Sequence, residues 1–255
     1  MTEADVDLAQ RLADAAAAAI RPHFRNLTAV ETKGDASPVT VADRAAEAAI
    51  RAMLARERPA DGIIGEEYGE DRPDADRVWV LDPIDGTRSF IAGRATFGTL
   101  VALLVDSVPV LGVIDQCIVK DRWVGAAGRP TTLNGQPAQT RQRVALAGAH
   151  LATSSPHYFD PSSFAAFERV RVAAFDTLYG GDCYNYGLLA SGHLDLVVES
   201  GLKLHDWAAL VPVVAGAGGA MTDWAGEPLR RGGDGRVIAA GDRALLPGAV
   251  AALSQ

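Results

Sequence analysis

The sequence predicts an α+β fold built from layers of helices and sheets. Its first part carries apolar residues at helical spacing, whereas the part after Pro59 carries short apolar runs that are typical of strands. Helical and strand-like segments then alternate towards the C-terminal end. The chain has 255 residues, 48% of them hydrophobic, and is therefore long enough to bury one large core or two joined smaller ones.

Two helices are predicted at the start. Apolar residues recur every four positions on one face of the first, at Leu8, Leu12, Ala16, Ile20 and Phe24. The second begins at the sequence Thr40-Val41-Ala42-Asp43, which resembles a capping box, and continues with Ala46, Ala49, Ile50, Met53 and Leu54. Asp43 therefore lies in its first turn, where a carboxylate suits the helix dipole.

Strands and further helices follow. Strands are expected over 62–65, 78–81, 97–105 and 108–114, with a turn at Asp106-Ser107. Later elements are a strand near 145–153, a helix around 184–190, a strand over 194–198 and a helix from about Asp206, with a kink at Pro212. The segment 128–142 is rich in Gly, Pro, Thr and Gln and contains the turn Asn134-Gly135. We therefore expect a single unit, 1–255, with an N-terminal half of about 1–135 and a C-terminal half of about 136–255.

The amino-acid composition limits which classes of ligand and function are expected. Against 24 Lys and Arg stand 32 Asp and Glu, so the net charge is -8 and the chain repels nucleic acid. A phosphorylated ligand would then need cations to screen it from the protein's carboxylates. The cysteines, Cys117 and Cys183, form no metal or disulfide motif. The apolar run 15–20 is interpreted as helix rather than signal, and no window is apolar enough for a membrane span, so a cytoplasmic protein is expected.

Acidic residues follow several predicted strands. The strand 78–81 runs into Asp82-Pro83-Ile84-Asp85-Gly86-Thr87, where two carboxylates three residues apart could bracket a hard cation. Asp-Pro and Asp-Gly are also ordinary turn formers, and for this motif alone the two interpretations are about equally favoured. Glu66 and Glu67 follow a second strand, and Asp206 begins a helix after a third. Three such elements together favour a metal site.

These blocks resemble the inositol monophosphatase family of magnesium-dependent, lithium-sensitive phosphatases. The resemblance covers nearly the whole chain: G-E-E at 65–67, D-P-I-D-G-T at 82–87 followed by Phe90, D-W-A-A at 206–209 and A-G-G at 217–219. Lys33 before S-P-V-T-V-A-D, which ends at Asp43, also fits. The resemblance implies an αβαβα sandwich, two or three Mg²⁺ per active site and a homodimer.

The resemblance also implies roles for individual residues. The metal ligands would be Glu66, Asp82, the carbonyl of Ile84, Asp85 and Asp206. Asp43, Thr87 and Glu66 would be catalytic, with Asp43 and Thr87 orienting a metal-activated water for in-line attack. The backbone at Gly86, Thr87 and Arg88 would receive the phosphate, as a helix start does.

The second half suggests the substrate. Gly180-Gly181-Asp182-Cys183-Tyr184 and the variants D-P-I-D-G-T-R-S-F and F-G-T-L resemble the histidinol-phosphatase branch of the family. Asp182 opposite Glu199 would suit a cation such as the amine of L-histidinol phosphate. Asp182 could instead cap the following helix, and this interpretation is about as strongly favoured as contact with the substrate. Arg88 is placed at the rim of the site.

Other functions remain open at this point. The chain could act on inositol 1-phosphate or a nucleotide 3′-phosphate, or be a catalytically silent metabolite-binding protein, although the full carboxylate set argues against silence. The histidines show no zinc-hydrolase spacing, and His205 is interpreted as a residue of a helix start more readily than as a neighbour of the metal site. Gly216 to Gly219 resembles a dinucleotide loop only faintly and is interpreted as close packing or helix termination.

Overall fold

A computed structural model describes residues 1–26, 30–32, 38–142 and 145–254. Lys33, part of the family resemblance, lies outside the described residues. The helices are α1 Glu3–Ile20, α2 Val41–Glu57, α3 Thr87–Ile91, α4 Pro161–Ala173, α5 Tyr184–Ala190, α6 Leu204–Trp207, α7 Leu210–Gly216 and α8 Leu246–Leu253. The strands are β1 Val30–Thr32, β2 Pro38–Thr40, β3 Gly62–Gly65, β4 Gly69–Asp71, β5 Arg77–Asp85, β6 Gly98–Val105, β7 Val108–Gln116, β8 Asp121–Ala126, β9 Thr132–Leu133, β10 Gln136–Pro137, β11 His150–Thr153, β12 Asp176–Tyr179, β13 Leu196–Glu199, β14 Ala220–Thr222 and β15 Val237–Ala240.

An eight-stranded sheet, in the order β10-β9-β8-β7-β6-β5-β3-β4, lies between two helical layers. Alternate residues of β5 face opposite sides, as the pleat requires. Trp79 and Leu81 are buried in a core that includes the apolar face of α1, whereas Val78 and Val80 belong to the core that contains residues of α5 and α7. The periodicity of the first two helices thus marked the face that packs on this sheet.

Besides a small hairpin of β1 and β2, the fold has a second large sheet of five strands, in the order β12-β11-β13-β15-β14. Val197 of β13 shares the core of α5 and α7, while its neighbours in the strand face a third core with α4 and α8. The layers are therefore helix, sheet, helix, sheet, helix. This order confirms the αβαβα sandwich, with α5, α6 and α7 between the two sheets.

Two glycines let the middle layer approach the large sheet closely. A Cβ atom at Gly112 of β7 would overlap the carbonyl oxygen of Ala209, and one at Gly125 of β8 would overlap that of Pro212. Backbone contacts backbone here, which only glycine permits. The height of α7 above the sheet is therefore fixed by these two positions.

Some predicted boundaries differ. The strand expected from 145 begins at His150, after a short 3₁₀ turn over Leu146–Gly148. The helix expected from Asp206 is two helices, α6 and α7, because Pro212 has no N–H to donate to the carbonyl one turn earlier. Asn134 and Gly135, with φ of 51° and 78°, form the turn of the hairpin β9–β10. The division near residue 135 stays a prediction. No helix within the described ranges is long and apolar enough to cross a membrane.

Candidate active site

Two parallel strands bring the first carboxylates together. β3 and β5 pair in parallel with Gly65 opposite Leu81, so their carboxyl ends lie side by side. The next residues are Glu66 and Asp82, and the Glu66 N–H donates to the Leu81 carbonyl at 3.2 Å. Glu66 and Asp82 therefore project from one edge of the sheet.

A bulge adds Asp85. Asp82 pairs with Leu100 of β6, whereas the next pair is Asp85 with Gly98, so the two residues between them bulge out of the ladder. One of these is Pro83, which has no N–H to leave unpaired, and its carbonyl accepts from the Thr99 hydroxyl at 2.8 Å. The motif D-P-I-D thus bends the strand so that both aspartates lie at one site.

Asp206 reaches the same place from the middle layer. It lies in α6, where its Oδ2 accepts from the N–H of Lys203 at 2.6 Å and closes the first turn. One oxygen each of Asp82, Asp85 and Asp206 lie within 4.8 Å of one another. The structure therefore brings together the three aspartates that the sequence predicted as metal ligands, although they are 124 residues apart at the extremes, from 82 to 206.

The electrostatics of this cluster call for a cation. Burial, followed by the charges of Glu66, Asp85 and Asp206, raises the pKa of Asp82 well above its usual range. Burial and the charge of Asp182 do the same to Asp85. Asp82 is 2% exposed, and its Oδ1 has no hydrogen-bond partner among the described residues. Converging, desolvated carboxylates with an unpartnered oxygen are the donor set that Mg²⁺ prefers, so the residues fit this ion.

Asp43 and Thr87 meet beside the cluster. Asp43 is fully buried, and its Oδ2 accepts from the N–H and the hydroxyl of Thr40 at 2.8 and 2.5 Å in the capping box that begins α2. Its Oδ1 faces the Thr87 hydroxyl at 3.4 Å, and that hydroxyl also lies 3.1 Å from the carbonyl of Ile84. Burial, with a contribution from the charge of Glu66, raises the pKa of Asp43. The pair predicted to orient the attacking water and the predicted carbonyl ligand are therefore adjacent.

Gly86 connects the metal cluster with the substrate side. It has φ of 85° and is the N-cap residue directly before α3, and a Cβ atom there would lie 2.7 Å from Asp182 Oδ2. Asp182 accepts from the Ser89 hydroxyl at 2.7 Å, and no side-chain bond caps α5. The helix-cap interpretation of Asp182 is therefore wrong. Burial raises the pKa of Asp182, with the charge of Asp206 adding to the effect.

Glu199 ends β13 beside the end of the parallel strand β11. Its carboxylate accepts from the Thr153 hydroxyl at 3.0 Å and from the N–H and hydroxyl of Ser154 at 2.7 Å. Burial raises its pKa to about 7, and the charge of Asp182 acts in the same direction. A cavity of about 20 Å³ touches Glu199, Asp182, Asp85 and Asp206. The two predicted substrate carboxylates thus border the metal cluster.

Two residues at the site, Cys183 and Tyr186, were not singled out by sequence reasoning, whereas Arg88 was expected at the rim. The Cys183 N–H donates to Asp85 Oδ2 at 2.6 Å and fixes that side chain. Tyr186 lines the same small cavity, and its buried hydroxyl has no partner within the described residues. Arg88 is exposed at the rim, where its charge acts on the nearby Tyr158. Only the motif containing Cys183 gave a signal, and that signal concerned its neighbour Asp182.

His205 lies within the acidic cluster rather than on the surface. Its side chain is 13% exposed, and Nε2 is 3.5 Å from Asp206 Oδ1. One ring nitrogen and one oxygen each of Glu66 and Asp82 lie within 4.8 Å of one another. The interpretation of His205 as merely a residue of a helix start underestimated its position.

Comparisons with known proteins show to which family the chain is similar. The profile of the inositol monophosphatase family matches residues 1–255. The bifunctional phosphatase IMPL2, chloroplastic, of Arabidopsis thaliana is 52% identical over 85% of this chain and 63% of its own length. A histidinol-phosphatase of Mycobacterium tuberculosis is 36% identical over 91% of this chain and 92% of its own.

A solved structure extends the comparison to the whole fold. An inositol monophosphatase from Zymomonas mobilis is 56% identical, with a TM-score of 0.92 over 99% of this chain and 98% of that one. Family profile, relatives and fold thus agree along the chain. The protein belongs to the inositol monophosphatase family, whose members are magnesium-dependent phosphoric monoester hydrolases.

Proposed function

We propose that this protein hydrolyses L-histidinol phosphate to L-histidinol and phosphate with magnesium as cofactor. The observation that carries the substrate assignment is the pair Asp182 and Glu199. These two carboxylates line the small cavity beside the metal cluster, where the organic part of the ester would bind. Histidinol phosphate brings a primary ammonium and an imidazole to that side. An inositol phosphate brings only hydroxyl groups, which gain less from two negative charges.

In this proposal one set of residues binds the metal and another orients the phosphate. Glu66, Asp82, Asp85, Asp206 and the carbonyl of Ile84 would hold magnesium. The bound ions would supply positive charge that stabilises the attacking and leaving oxygens of an in-line displacement. The backbone of Gly86, Thr87 and Arg88 would orient the phosphate at the start of α3.

Proton transfer would proceed through the pair beside the cluster. In our proposal the attacking water gives a proton to Thr87 Oγ1 while the Thr87 proton passes to Asp43 Oδ1. The 3.4 Å separation of these two oxygens suits a contact that tightens when substrate binds. The raised pKa of Asp43, caused mainly by burial, favours its acceptance of that proton.

The test compares substrates. We would measure kcat/KM for histidinol phosphate, inositol 1-phosphate and adenosine 3′,5′-bisphosphate, with magnesium and with chelator, in wild type, Asp182→Asn and the control Asp176→Asn. Asn retains the shape of Asp182, so the expected effect is a loss of roughly tenfold to a hundredfold for histidinol phosphate alone, the value of a charge-assisted hydrogen bond. Asp176 pairs with His150 on the surface, and its variant should behave like wild type.

Two outcomes would contradict the proposal. Equal losses on charged and uncharged esters would remove Asp182 from amine recognition. Absence of magnesium-dependent phosphate release from every ester would favour a silent binding protein. The second candidate substrate is inositol monophosphate, favoured by the likeness to the Zymomonas mobilis enzyme, and it would be preferred if inositol 1-phosphate gave the highest kcat/KM.

We also propose that the protein forms a homodimer through the edge of its smaller sheet. β12 is an edge strand, and Phe175, Leu178 and Tyr179 on or beside it are 67%, 48% and 52% exposed. An apolar open edge is a surface that proteins cover by pairing. Phe175→Asp should convert a dimer into a monomer in light scattering, and an unchanged mass would contradict this interface. A cytoplasmic location stays a prediction, and the two buried free cysteines suit a reducing compartment.

A further inference from the structure

A second cavity lies away from the metal cluster, at the C-terminal end of α1. Its volume is about 300 Å³, and it is bordered by the 3₁₀ turn over Arg21–His23, the hairpin β7–β8 and the turn of the hairpin β9–β10. Its charged lining residues are Arg21, Asp115, Lys120 and Arg122. Among the described residues, this lining includes no carboxylate of the metal cluster, so the two sites are separate.

The positive charges of this lining are only partly neutralised. Arg122 donates to Asp115 Oδ1 from Nε and to Asp14 Oδ1 from a terminal nitrogen, both at 2.7 Å. Within the part of the chain that the structure describes, Arg21 and Lys120 form no ion pair with a carboxylate. Two cations without a partner of opposite charge border one cavity, in a chain whose net charge is -8. The cavity therefore attracts a small anion with two negative charges.

The backbone around the two cations is held in place. Arg21 Nε donates to the carbonyl of Cys117 at 3.0 Å, which orients the guanidinium at the hairpin. Lys120 has φ of 67°, a left-handed conformation that lysine rarely adopts, and its N–H donates to the carbonyl of Gln116 at 2.9 Å. The side chain of Gln116 is fully buried and accepts from two N–H groups of the same turn at 2.7 and 2.9 Å. Arg21 and Lys120 are thus presented to the cavity by a tightly bonded turn.

We propose that this cavity binds a phosphate group, with Arg21 and Lys120 as its cationic contacts. A phosphate monoester carries about 1.5 to 2 negative charges near neutral pH and so matches two cations. Arginine offers two parallel N–H bonds to phosphate oxygens, and lysine adds a compact charge. The group belongs either to inorganic phosphate or to a small ester that is held without being hydrolysed. This inference goes beyond the proposed function and does not depend on which ester the active site hydrolyses.

Equilibrium dialysis of the full chain against radiolabelled inorganic phosphate counts the sites. The measurement is made at constant low ionic strength, once with magnesium and once with chelator. Without metal ions the acidic cluster repels phosphate, so binding in chelator reports the second cavity. We expect one phosphate per chain in chelator and a further one when magnesium is present. No ester is hydrolysed in this assay, so its result is independent of the histidinol phosphate assignment.

Paired substitutions locate the site. Arg21→Gln combined with Lys120→Gln should weaken phosphate binding in chelator at least about tenfold, the effect of losing one charge-assisted hydrogen bond. The matched control, Arg56→Gln combined with Arg243→Gln, removes the same two charges at exposed positions outside the cavity and should bind as wild type does. Lys120→Arg keeps the charge and should change the affinity by less than about threefold.

A competing ester identifies the source of the group. Glycerol 2-phosphate that displaces phosphate more effectively than unlabelled phosphate does would identify an ester as the ligand, and weaker displacement would identify inorganic phosphate. The proposal is overturned if wild type binds no phosphate in chelator, or if both double variants lose affinity equally. If the Arg21 variant does not fold, Lys120→Gln is compared with Arg56→Gln, because the exposed Lys120 side chain has no hydrogen bond within the described residues. Unchanged affinity in Lys120→Gln would then overturn it.

Discussion

Glu47 is expected to hold the turn that presents Glu66. It lies one helical turn after Asp43 in α2 and is fully buried. Its Oε2 accepts from the N–H of Glu67 at 2.7 Å, and its Oε1 accepts from the N–H of Tyr68 at 3.2 Å. Arg51 donates to the same carboxylate at 2.7 Å. One helix therefore carries both a predicted catalytic acid and the anchor of a predicted metal ligand.

The substitution Glu47→Gln measures this anchor. The amide has one acceptor oxygen for three donors, so at least one N–H loses its bond to this buried side chain, and the ion pair with Arg51 is broken. From the cost of such losses we expect the free energy of unfolding to fall by about 2–4 kcal/mol. For a chain of this size that lowers Tm by roughly 4–16 °C. Because Glu66 would no longer be held, Mg²⁺ affinity measured by calorimetry should fall roughly tenfold.

Glu57 provides the matched control on the same helix. It accepts from both terminal nitrogens of Arg11 at 2.7 Å, but its side chain is 34% exposed and far along the helix from the site. Because an exposed ion pair adds little to stability, Glu57→Gln should leave both the free energy of unfolding and Mg²⁺ binding nearly unchanged. The reasoning is refuted if Glu47→Gln binds Mg²⁺ as wild type does, or if both variants lose affinity equally.

The remaining predictions concern the acidic cluster and its surroundings. Asp85→Asn should abolish nearly all turnover because a charged metal ligand is lost. The same variant should raise the Tm of chelator-treated protein, because burial and the charges of Asp182 and Asp206 disfavour the ionised form of Asp85. Retention of about a tenth or more of wild-type activity at saturating magnesium would contradict its role as a ligand. Thr87→Ala should lower kcat by roughly 10² to 10⁴, the usual range for a lost proton-transfer partner, and an unchanged kcat in steady-state assays would exclude that role. Burial raises the pKa of Glu199 from 4.5 to about 7, so the folded state binds this proton more tightly, and the stability gained is complete below pH 4.5 and lost as pH rises to about 7. In urea titrations of apo-protein at several pH values, Glu199→Gln should remove that part of the pH dependence of the free energy of unfolding. The prediction is wrong if wild type and variant show the same pH dependence.

Strong local patterns allowed much of the framework to be predicted. The four-residue spacing from Leu8 to Ile20 lies in α1, but Phe24, the last residue of the predicted face, follows the end of that helix. The capping box at Thr40 begins α2 as expected. The hydrophobic run before Asp82 is the central strand of the site. Such elements bury a continuous face, so their periodicity is set by the core itself.

Elements with weaker patterns were not predicted. α4, Pro161–Ala173, alternates apolar and polar residues irregularly and buries only part of one face against α8. β12 is four residues long with mostly exposed side chains, so it carries no apolar run. Their positions depend on pairing with distant segments, which local sequence does not encode.

The site residues also divide into those that local sequence patterns predicted and those whose roles depend on distant contacts. Asp82 and Asp85 were found because they follow an apolar run, although β5 extends through both of them. The roles suggested for His205 and Asp182, in contrast, depended on which distant residues they meet. His205 looked like a residue of a helix start because its only sequence signal was its neighbour Asp206. The sequence does not reveal that α6 turns the imidazole towards Glu66 and Asp82.

The two glycines beneath α7 determine where this enzyme can be engineered. Any side chain at Gly112 or Gly125 would push α7 off the large sheet and carry the neighbouring α6, with Asp206, away from the aspartates of β5. Libraries that aim to change substrate preference should therefore keep both positions fixed and vary the rim, where Arg88 and Tyr158 are exposed.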